Sequence, residues 1–405
     1  MLSGATFVEM RLTVVWHKLF WPSAHSPTGF AAHGGLVRQI DALSSVFDST
    51  RVVGPCSRSG ERKGDRAITG KDLSIVSLTS LPKSPWLTWL MLPFWFVRNG
   101  FTLTREISQA DAVFPLLPSP VGTLGLLLAL AMRKPLLVRP MNTWAERRFL
   151  WRLERALLER IAGGRNVVFA TGESDRPPSP RNPAIRWIFS TTVSEAELEA
   201  TRAPRVLSPG RARLIIVGRQ LETDATAIVL RSLPKLVHEF PHVAVDVIGH
   251  GAELSELEQL ADDLHVGDRV TFHGAATHER VLELLRQADL FCLPATETES
   301  LRQSVHEGLA CGLPVVTTPS SLGQMMNGCG LTLQSGTSDA LADAVRACLR
   351  DPDGYHQMSI AALRAAQCYS LERWSDTVRA ALVDSWGPLQ SDRSASNHVM
   401  SLQKC

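Results

Sequence analysis

The sequence has 405 residues, of which 44% are hydrophobic and 20% are charged, and these values exclude a disordered chain and a multi-span membrane protein. A chain of this length exceeds the usual size of one hydrophobic core, so two domains are expected. The 42 Lys and Arg residues nearly balance the 40 Asp and Glu residues, for a formal charge of +2. This balance gives no basis for a nucleic-acid partner, and none is expected.

The first residues and the cysteines bear on the compartment. The start, MLSGATFVEMRLTVVW, has an acid before its apolar run and no small-residue cleavage pattern, which predicts no signal peptide. The seven cysteines include no C-x-x-C pair, which predicts reduced thiols in a cytoplasmic protein.

Short apolar runs alternate with helical stretches in both halves of the chain. RLTVVW, RVVG, SIVSL, AVFPLL, PLLVR and NVVFAT come first, and RLIIVG, VAVDVIG, RVTFHG, LFCLP, PVVTT and GLTLQ follow. This order predicts βαβ units around two parallel sheets. The segment 201–212, rich in Pro, Ser and Arg, is the expected hinge. We predict a first domain at 1–205, a second at 206–370, a helix at 371–390 that crosses back to the first domain, and a disordered tail at 391–405.

The segment 84–96, SPWLTWLMLPFWF, is unusually aromatic. Its apolar run is shorter than the about 20 residues that a bilayer-spanning helix needs. One interpretation is a buried helix. The other is an interfacial patch, assisted by the arginine-rich helix predicted at 144–161, which predicts peripheral contact with a membrane surface. The aromatic residues assigned to this patch are Trp86, Trp89, Phe94, Trp95 and Phe96.

Two glycine pairs lie between a predicted strand and a predicted helix. Gly34 and Gly35 would let backbone approach a ligand and leave helix amides free for an anion, although a plain helix-start turn has the same pattern. Gly249 and Gly251 form half of a dinucleotide fingerprint. Because Leu254 occupies the third glycine position and the next strand ends without an acid, a nicotinamide dehydrogenase is the weaker interpretation.

The strongest constellation is LPATETESLRQSVHEGLACGLPVVTT, in which Glu299 and Glu307 are eight residues apart. If the helix after strand LFCLP begins near Leu301, both carboxylates can face one cleft. A pair of solvated charges is the alternative, which the tight turn into PVV disfavours. The helix N-terminus has unpaired amides that favour a diphosphate, and the residues expected to supply them are Ser300, Leu301, Arg302 and Gln303.

An ordered set of motifs occupies the run from Arg213 to Ala381: V-G-R at 217–219, I-G-H-G at 248–251, F-H-G at 272–274, E-x7-E from Glu299 to Glu307, and A-C-G-L-P-V-V at 310–316. In this order the motifs resemble those of the group 1 (family 4) glycosyltransferases. The first half resembles the family chiefly through Gly34 and Gly35.

The resemblance implies an α/β protein of the GT-B fold, with two facing Rossmann-like domains and a cleft between them, the first on the acceptor side and the second binding the donor. It implies a retaining transferase, in which Glu299 contacts the hydroxyls of the donor sugar, Glu307 the ribose hydroxyls and Arg219 the diphosphate. It also implies neither a metal nor another cofactor, because basic side chains and helix amides stabilise the leaving group. The expected reaction moves a hexose or amino sugar from a nucleotide sugar to a polyprenyl-linked or polysaccharide acceptor. The expected location is the cytoplasm, on the inner face of the cell membrane.

Two positions depart from the family pattern. Family members usually place Lys-Gly where this chain has Asp224 and Ala225, and an acid there would repel a diphosphate. Arg302 could offset that repulsion. The alternative is a catalytically weakened GT-B protein that binds a nucleotide or a partner without turnover.

The second departure follows strand PLLVR, where residues 140–142 read Pro-Met-Asn in place of a histidine that many family members use near the reacting carbon. His25, His33 and Glu146 are the candidates to replace it, and the sequence does not distinguish among them.

Overall fold

A computed structural model describes residues 9–57, 65–82, 84–141, 144, 149–172, 176–201, 203–207, 211–218, 225–251, 253–294, 299–318 and 326–389, without the side chains of residues 85, 86, 89, 149, 211 and 299–302. The predicted tail therefore lies outside the described residues. The chain forms two compact units. One comprises Met1–Phe189 and Glu372–Cys405, and the other comprises Ser190–Leu371.

The first unit is built around a seven-stranded sheet in the order β10-β9-β8-β7-β1-β4-β6, and all neighbouring strands are parallel. A small antiparallel sheet of β2, β3 and β5 accompanies it. The elements are β1 (Arg11–Val15), β2 (Phe20–Pro22), β3 (Phe30–His33), α1 (Leu36–Ser44), β4 (Ser49–Pro55), β5 (Asp65–Ala67), β6 (Leu73–Leu78), α2 (Pro85–Gln109), β7 (Ala112–Pro115), α3 (Pro120–Ala131), β8 (Leu136–Val138), α4 (Phe149–Ile161), β9 (Asn166–Thr171) and β10 (Arg186–Ile188).

Alternate residues of the large sheet point to two separate cores, because successive side chains of a strand face opposite sides. Leu12 and Val14 of β1 pack in one core with α1, whereas Val15 packs in the other with α2, α3 and α4. The first core also contains Trp374 and Leu382, which come from the last helix of the chain.

The second unit has a six-stranded parallel sheet in the order β13-β12-β11-β14-β15-β16. Strand order reverses between β11 and β14, which is the arrangement of the dinucleotide-binding fold. The elements, with the final helix α12, are α5 (Glu195–Glu199), β11 (Arg211–Val217), α6 (Ala225–Leu236), β12 (His242–Ile248), α7 (Leu254–Asp263), β13 (Val270–Gly274), α8 (His278–Gln287), β14 (Leu290–Leu293), α9 (Glu299–Ala310), β15 (Val315–Thr317), β16 (Gly330–Thr332), α10 (Ser338–Arg350), α11 (Pro352–Gln367) and α12 (Leu371–Trp386).

The first unit ends at Phe189, earlier than the predicted domain boundary at residue 205 and the hinge predicted at 201–212. The physical reason is that the intervening segment is hydrogen-bonded to the second unit. The Arg205 guanidinium donates to the carbonyls of Leu285, Arg286, Ala288 and Cys311, which follow or end helices α8 and α9. A cation is favourable at the carbonyl end of a helix.

Helix α2 separates the aromatic residues that were grouped together in the sequence. Trp95 is only 5% exposed and donates through Nε1 to the carbonyl of Thr79 at 2.6 Å, so its assignment to an interfacial patch is wrong. Phe94, the preceding residue, is 68% exposed. A turn of about 100° per residue places neighbouring side chains on different faces of a helix. No helix within the described residues has the length and apolarity required to cross a membrane.

The thiols agree with the prediction except at one position. Cys368 is disulfide-bonded, which contradicts the expectation that every cysteine is reduced. Five other cysteines are free thiols: Cys56, Cys292, Cys311, Cys329 and Cys348.

A buried carboxylate joins the first three strands of the second sheet. Asp246 of β12 accepts from Arg213 of β11 at 2.5 and 3.1 Å, and His273 Nε2 lies 2.6 Å from its Oδ1. Burial raises the pKa of Asp246, but the hydrogen bonds from Arg213 and His273 lower it by more, so the pKa lies below its ordinary value.

We expect Asp246→Asn to lower the free energy of unfolding by about 2–3 kcal/mol at neutral pH, because it leaves the partly buried guanidinium of Arg213 without its counter-charge. Since the folded-state pKa is depressed, the ionised carboxylate stabilises the fold above the unfolded-state pKa of about 3.9, and this contribution is lost as the pH falls through the lower folded value. Urea titrations from pH 7 to pH 3 should therefore show a difference from the wild type that shrinks in acid. Exposed Asp263 supplies the control Asp263→Asn, and a pH-independent difference for Asp246→Asn would contradict the analysis.

Candidate active site

The site lies in the second unit, at the carboxyl ends of β11 and β14. Neighbouring strands that connect in opposite directions leave a crevice at this edge of a parallel sheet, where ligands bind in such folds. Gly218 follows β11, and its amide donates to the carbonyl of Ile248 at 3.0 Å. The Gly249 amide donates to the carbonyl of Gly274 at 2.9 Å. The glycines Gly218, Gly249 and Gly274, one from each of three predicted motifs, thus lie along one edge of the sheet.

The backbone conformation favours glycine at two of the predicted site positions, one in each unit. Gly249 has φ +141° and Gly34, in the first unit, has φ +95°, values that residues with a Cβ rarely adopt. Gly35 is the N-cap of α1 and supplies no side-chain hydrogen bond, and a Cβ added to Gly34 would lie 3.5 Å from Lys18 Nζ. Gly251 lies in the turn between β12 and α7.

Helix α9 follows β14 and carries the E-x7-E motif. It begins at Glu299, before the predicted start near Leu301, so both glutamates belong to the helix. An offset of eight residues turns by about 80° beyond two full turns, which keeps the two positions on neighbouring faces.

Glu307 is a buried carboxylate with two partners in its own unit. The Thr192 hydroxyl donates to its Oε1 at 2.6 Å, and His278 Nδ1 lies 3.1 Å from the same oxygen. Among the residues that the structure describes, Oε2 makes neither contact and can accept a hydrogen bond from a ligand. A buried carboxylate held through one oxygen is suited to binding a pair of hydroxyl groups.

The neighbouring His306 has a different character. It is fully buried, its Nδ1 lies 3.0 Å from the Thr191 hydroxyl, and its Nε2 lies 3.4 Å from the carbonyl of Ala366. Burial lowers the pKa of His306 to about 4. The imidazole is therefore neutral at physiological pH and serves packing.

Several predicted site residues fall outside what the structure describes. These are Arg219, Asp224 and Glu146, together with the side chains of Glu299, Ser300, Leu301 and Arg302. Gln303 is described, and its side-chain amide donates to Ser190 Oγ at 2.8 Å. No cluster of three His, Cys, Asp or Glu side chains suited to a metal ion occurs in the described part of the chain, and metal-independent transfer stays a prediction.

The structure also bears on the histidine candidates of the first unit. His25 is exposed, and the exposed His33 has its Nδ1 3.5 Å from Asp65 Oδ1. His17 is a further histidine that the sequence reasoning missed. It lies two residues after the end of β1, next to the reversal of strand order between β1 and β7, and burial, with a smaller effect of Lys18, lowers its pKa to about 4. Its position just beyond the first strand was the signal that could have identified it.

Comparison with known protein families gives a match over the part of the chain that contains β11, β14 and α9. Residues 211–351 match the model of the glycosyl transferases group 1. The match extends from β11 to the residue after α10, and it includes both strands at the reversal point and all of α9.

Curated relatives are similar at moderate identity. A GDP-mannose-dependent alpha-(1-6)-phosphatidylinositol monomannoside mannosyltransferase of Mycolicibacterium smegmatis is 28% identical over 177 residues, 42% of this chain and 45% of that protein. A D-inositol 3-phosphate glycosyltransferase of Mycobacterium bovis is 29% identical over 269 residues, 63% of this chain and 53% of that protein. The chain thus spans about half the length of the curated relatives it matches.

Solved structures extend the likeness over nearly the whole chain. WaaG, a glycosyltransferase involved in lipopolysaccharide biosynthesis, has a TM-score of 0.62 at 15% identity and covers 94% of this chain and 100% of its own. Anabaena HepE in complex with UDP and glucose has a TM-score of 0.64 at 15% identity and covers 93% of this chain and 100% of its own. At these identities the likeness concerns the fold, which is the GT-B fold of two Rossmann-like domains.

Proposed function

We propose that this chain, which belongs to the group 1 glycosyltransferases, transfers a sugar from a nucleotide-sugar donor with retention of anomeric configuration. The acceptor is a lipid-linked or surface-polysaccharide glycan. The observation that carries the proposal is Glu307, a buried carboxylate with one open oxygen, on the helix that follows β14 in the matched domain. The GDP-mannose named for one relative and the UDP-glucose bound by one neighbour are the two donors to test first.

Each residue of the motif has a distinct proposed task. Glu307 binds the ribose hydroxyls through Oε2, and Glu299, at the first position of α9, binds hydroxyls of the transferred sugar. The N-terminal amides of α9 at 300–303, together with Arg219, stabilise the negative charge of the departing diphosphate. This division separates binding of the nucleotide from stabilisation of the transition state.

An unusual outer face of the first unit supports an acceptor held at a membrane. Nine large hydrophobic residues are highly exposed in the described part of the chain, and all but Val206 lie on α2, α3 and α4. On α2 they recur at helical spacing, so they form one stripe along the helix. The eight residues are Leu90, Met91, Phe94, Val97, Phe101, Leu127, Leu150 and Leu153.

The charges of these three helices complement an anionic lipid surface. Among the described residues their exposed charged side chains are all arginines, Arg98, Arg105, Arg152 and Arg160. Their acids are engaged internally: buried Glu106 pairs with Arg51 at 2.9 Å, buried Glu159 pairs with Arg155 at 3.2 Å, and half-buried Glu154 accepts from Thr123. Apolar residues interspersed with arginine favour the interface of an anionic bilayer. We therefore place the protein peripherally on the cytoplasmic face of the cell membrane.

We expect unequal kinetic effects at the two glutamates. Glu299→Gln should mainly lower kcat, because the lost contact strengthens in the transition state, whereas Glu307→Ala should mainly raise KM for the donor. Steady-state release of nucleotide from UDP-glucose and GDP-mannose measures both. If both variants stay within twofold of the wild type, the assignment of this site is wrong. Donor binding without turnover by the wild type would instead favour the weakened, binding-only protein.

The membrane assignment has its own test. Phe94→Ser/Val97→Ser/Phe101→Ser should abolish co-sedimentation with vesicles of phosphatidylglycerol while leaving cooperative unfolding intact, because these side chains are 68%, 86% and 81% exposed. Val206→Ser, at a residue that is 76% exposed in the second unit, is the matched control and should sediment with vesicles like the wild type. Vesicle binding by the triple variant would refute the assignment.

A further inference from the structure

Three consecutive residues of the second unit are hydrogen-bonded to one face of α9. Gln303 Nε2 donates to Ser190 Oγ at 2.8 Å. The Thr191 and Thr192 hydroxyls contact His306 Nδ1 at 3.0 Å and Glu307 Oε1 at 2.6 Å. Positions 303, 306 and 307 share a helical face because they are three and four residues apart.

We propose that Thr192 and His278 are positioning residues that hold the Glu307 carboxylate for the ribose of a nucleoside diphosphate. This inference rests on the proposed role of Glu307 in donor binding. A hydroxyl that donates to an ionised carboxylate at 2.6 Å makes a charge-assisted hydrogen bond, which is stronger than one between neutral groups. Because Thr192 and His278 reach the same oxygen, they fix the carboxylate and leave Oε2 to the ligand.

The other ring nitrogen of His278 faces a second carboxylate. Its Nε2 lies 3.2 Å from Glu197 Oε1, and Glu197 Oε2 accepts from the amide and the hydroxyl of Ser194 at 2.8 and 2.9 Å. The bond from the Ser194 amide, together with the reciprocal bond from the Glu197 amide to Ser194 Oγ, forms the capping box at the start of α5. The His278 imidazole thus lies between Glu197, at the N-terminus of α5, and the Glu307 carboxylate.

Thr191 provides an unusually close control. It is adjacent to Thr192, equally buried, and also bonded to α9, but its partner on that helix is the neutral packing residue His306, and its hydroxyl also accepts from the Val193 amide at 3.2 Å. Loss of the Thr191 hydroxyl should reduce stability without disturbing Glu307. Loss of the Thr192 hydroxyl should disturb the carboxylate directly.

The experiment measures the Kd of UDP and GDP by isothermal titration calorimetry for Thr192→Val, Thr192→Ser and Thr191→Val. We expect Thr192→Val to weaken the better nucleotide roughly tenfold, as for loss of a hydrogen bond to a charged group. Thr192→Ser should restore binding, and Thr191→Val should bind as the wild type does. With the 2′,3′-dideoxy form of the same nucleotide, the difference between wild type and Thr192→Val should vanish, which a general packing defect would not produce.

The variant Glu307→Ala distinguishes failure of the positioning role from failure of the proposed function. If Glu307→Ala weakens nucleotide binding and Thr192→Val does not, the positioning role is overturned and the proposed function stands. If Glu307→Ala binds normally, the proposed function fails at this residue and the positioning role fails with it. Equal losses in Thr191→Val and Thr192→Val would show packing of α9 instead of positioning, which also overturns the proposal.

A second pair of variants serves if Thr192→Val does not fold. The side-chain amide of His278→Asn takes the place of Nδ1, which contacts Glu307, whereas that of His278→Gln takes the place of Nε2, which contacts Glu197. We expect His278→Asn to bind the nucleotide more tightly than His278→Gln. The reverse order would overturn the proposal.

Discussion

Parallel strands cannot be joined by tight turns, and this constraint determines where everything else in the chain lies. Within the two large parallel sheets, successive strands must be joined by a crossover that returns to the opposite end of the sheet. All carboxyl ends, and the loops that follow them, therefore meet at one edge. Both large sheets also reverse their order once, beside β1 in the first unit and beside β11 in the second. A crevice at the reversal is a geometric consequence of this topology.

Within the second unit, buried carboxylates determine which side chains from different elements come into contact. A carboxylate removed from water needs partners, and Asp246 and Glu307 both obtain them from other elements. Asp246 is held by charged or ring nitrogens and joins strands. Glu307 is held through a single oxygen, an arrangement that leaves capacity for a ligand. Asp246 and Glu307 thus differ in their capacity to bind a ligand, because their partners differ in kind and occupy two carboxylate oxygens in one case and one in the other.

The sequence was sufficient for the features that depend on local pattern. Strand–helix alternation predicted two parallel sheets, and the ordered motifs predicted the likeness to the group 1 glycosyltransferases, whose family model matches residues 211–351. The domain boundary was not predictable in the same way. Arg205 lies in a segment that reads as a hinge, and only its hydrogen bonds to distant carbonyls assign it to the second unit.

Long-range pairing also explains what was missed at the site. Thr192 and Glu307 are separated by 115 residues, and nothing in the composition around Thr192 indicates a partner in α9. The prediction for Trp95 in the aromatic segment 84–96 was wrong for a different reason. A helix distributes neighbouring residues around its axis, so Trp95 and Phe94 have opposite environments although both are aromatic. The sequence pattern identifies a helix, but the orientation of the helix in the fold is needed to tell its core residues from its surface residues.

The final helix has a consequence for how the protein is made. Trp374, Val378 and Leu382 belong to the core formed with β1 and α1, yet they are translated after the entire second unit. The first unit emerges from the ribosome with part of its core missing, whereas the second is a single continuous stretch of chain. During synthesis the later-encoded unit can therefore complete its own packing before the earlier one does. The nascent first unit must retain exposed apolar surface until the last helix arrives, so a ribosome that stalls before codon 374 would leave an aggregation-prone product.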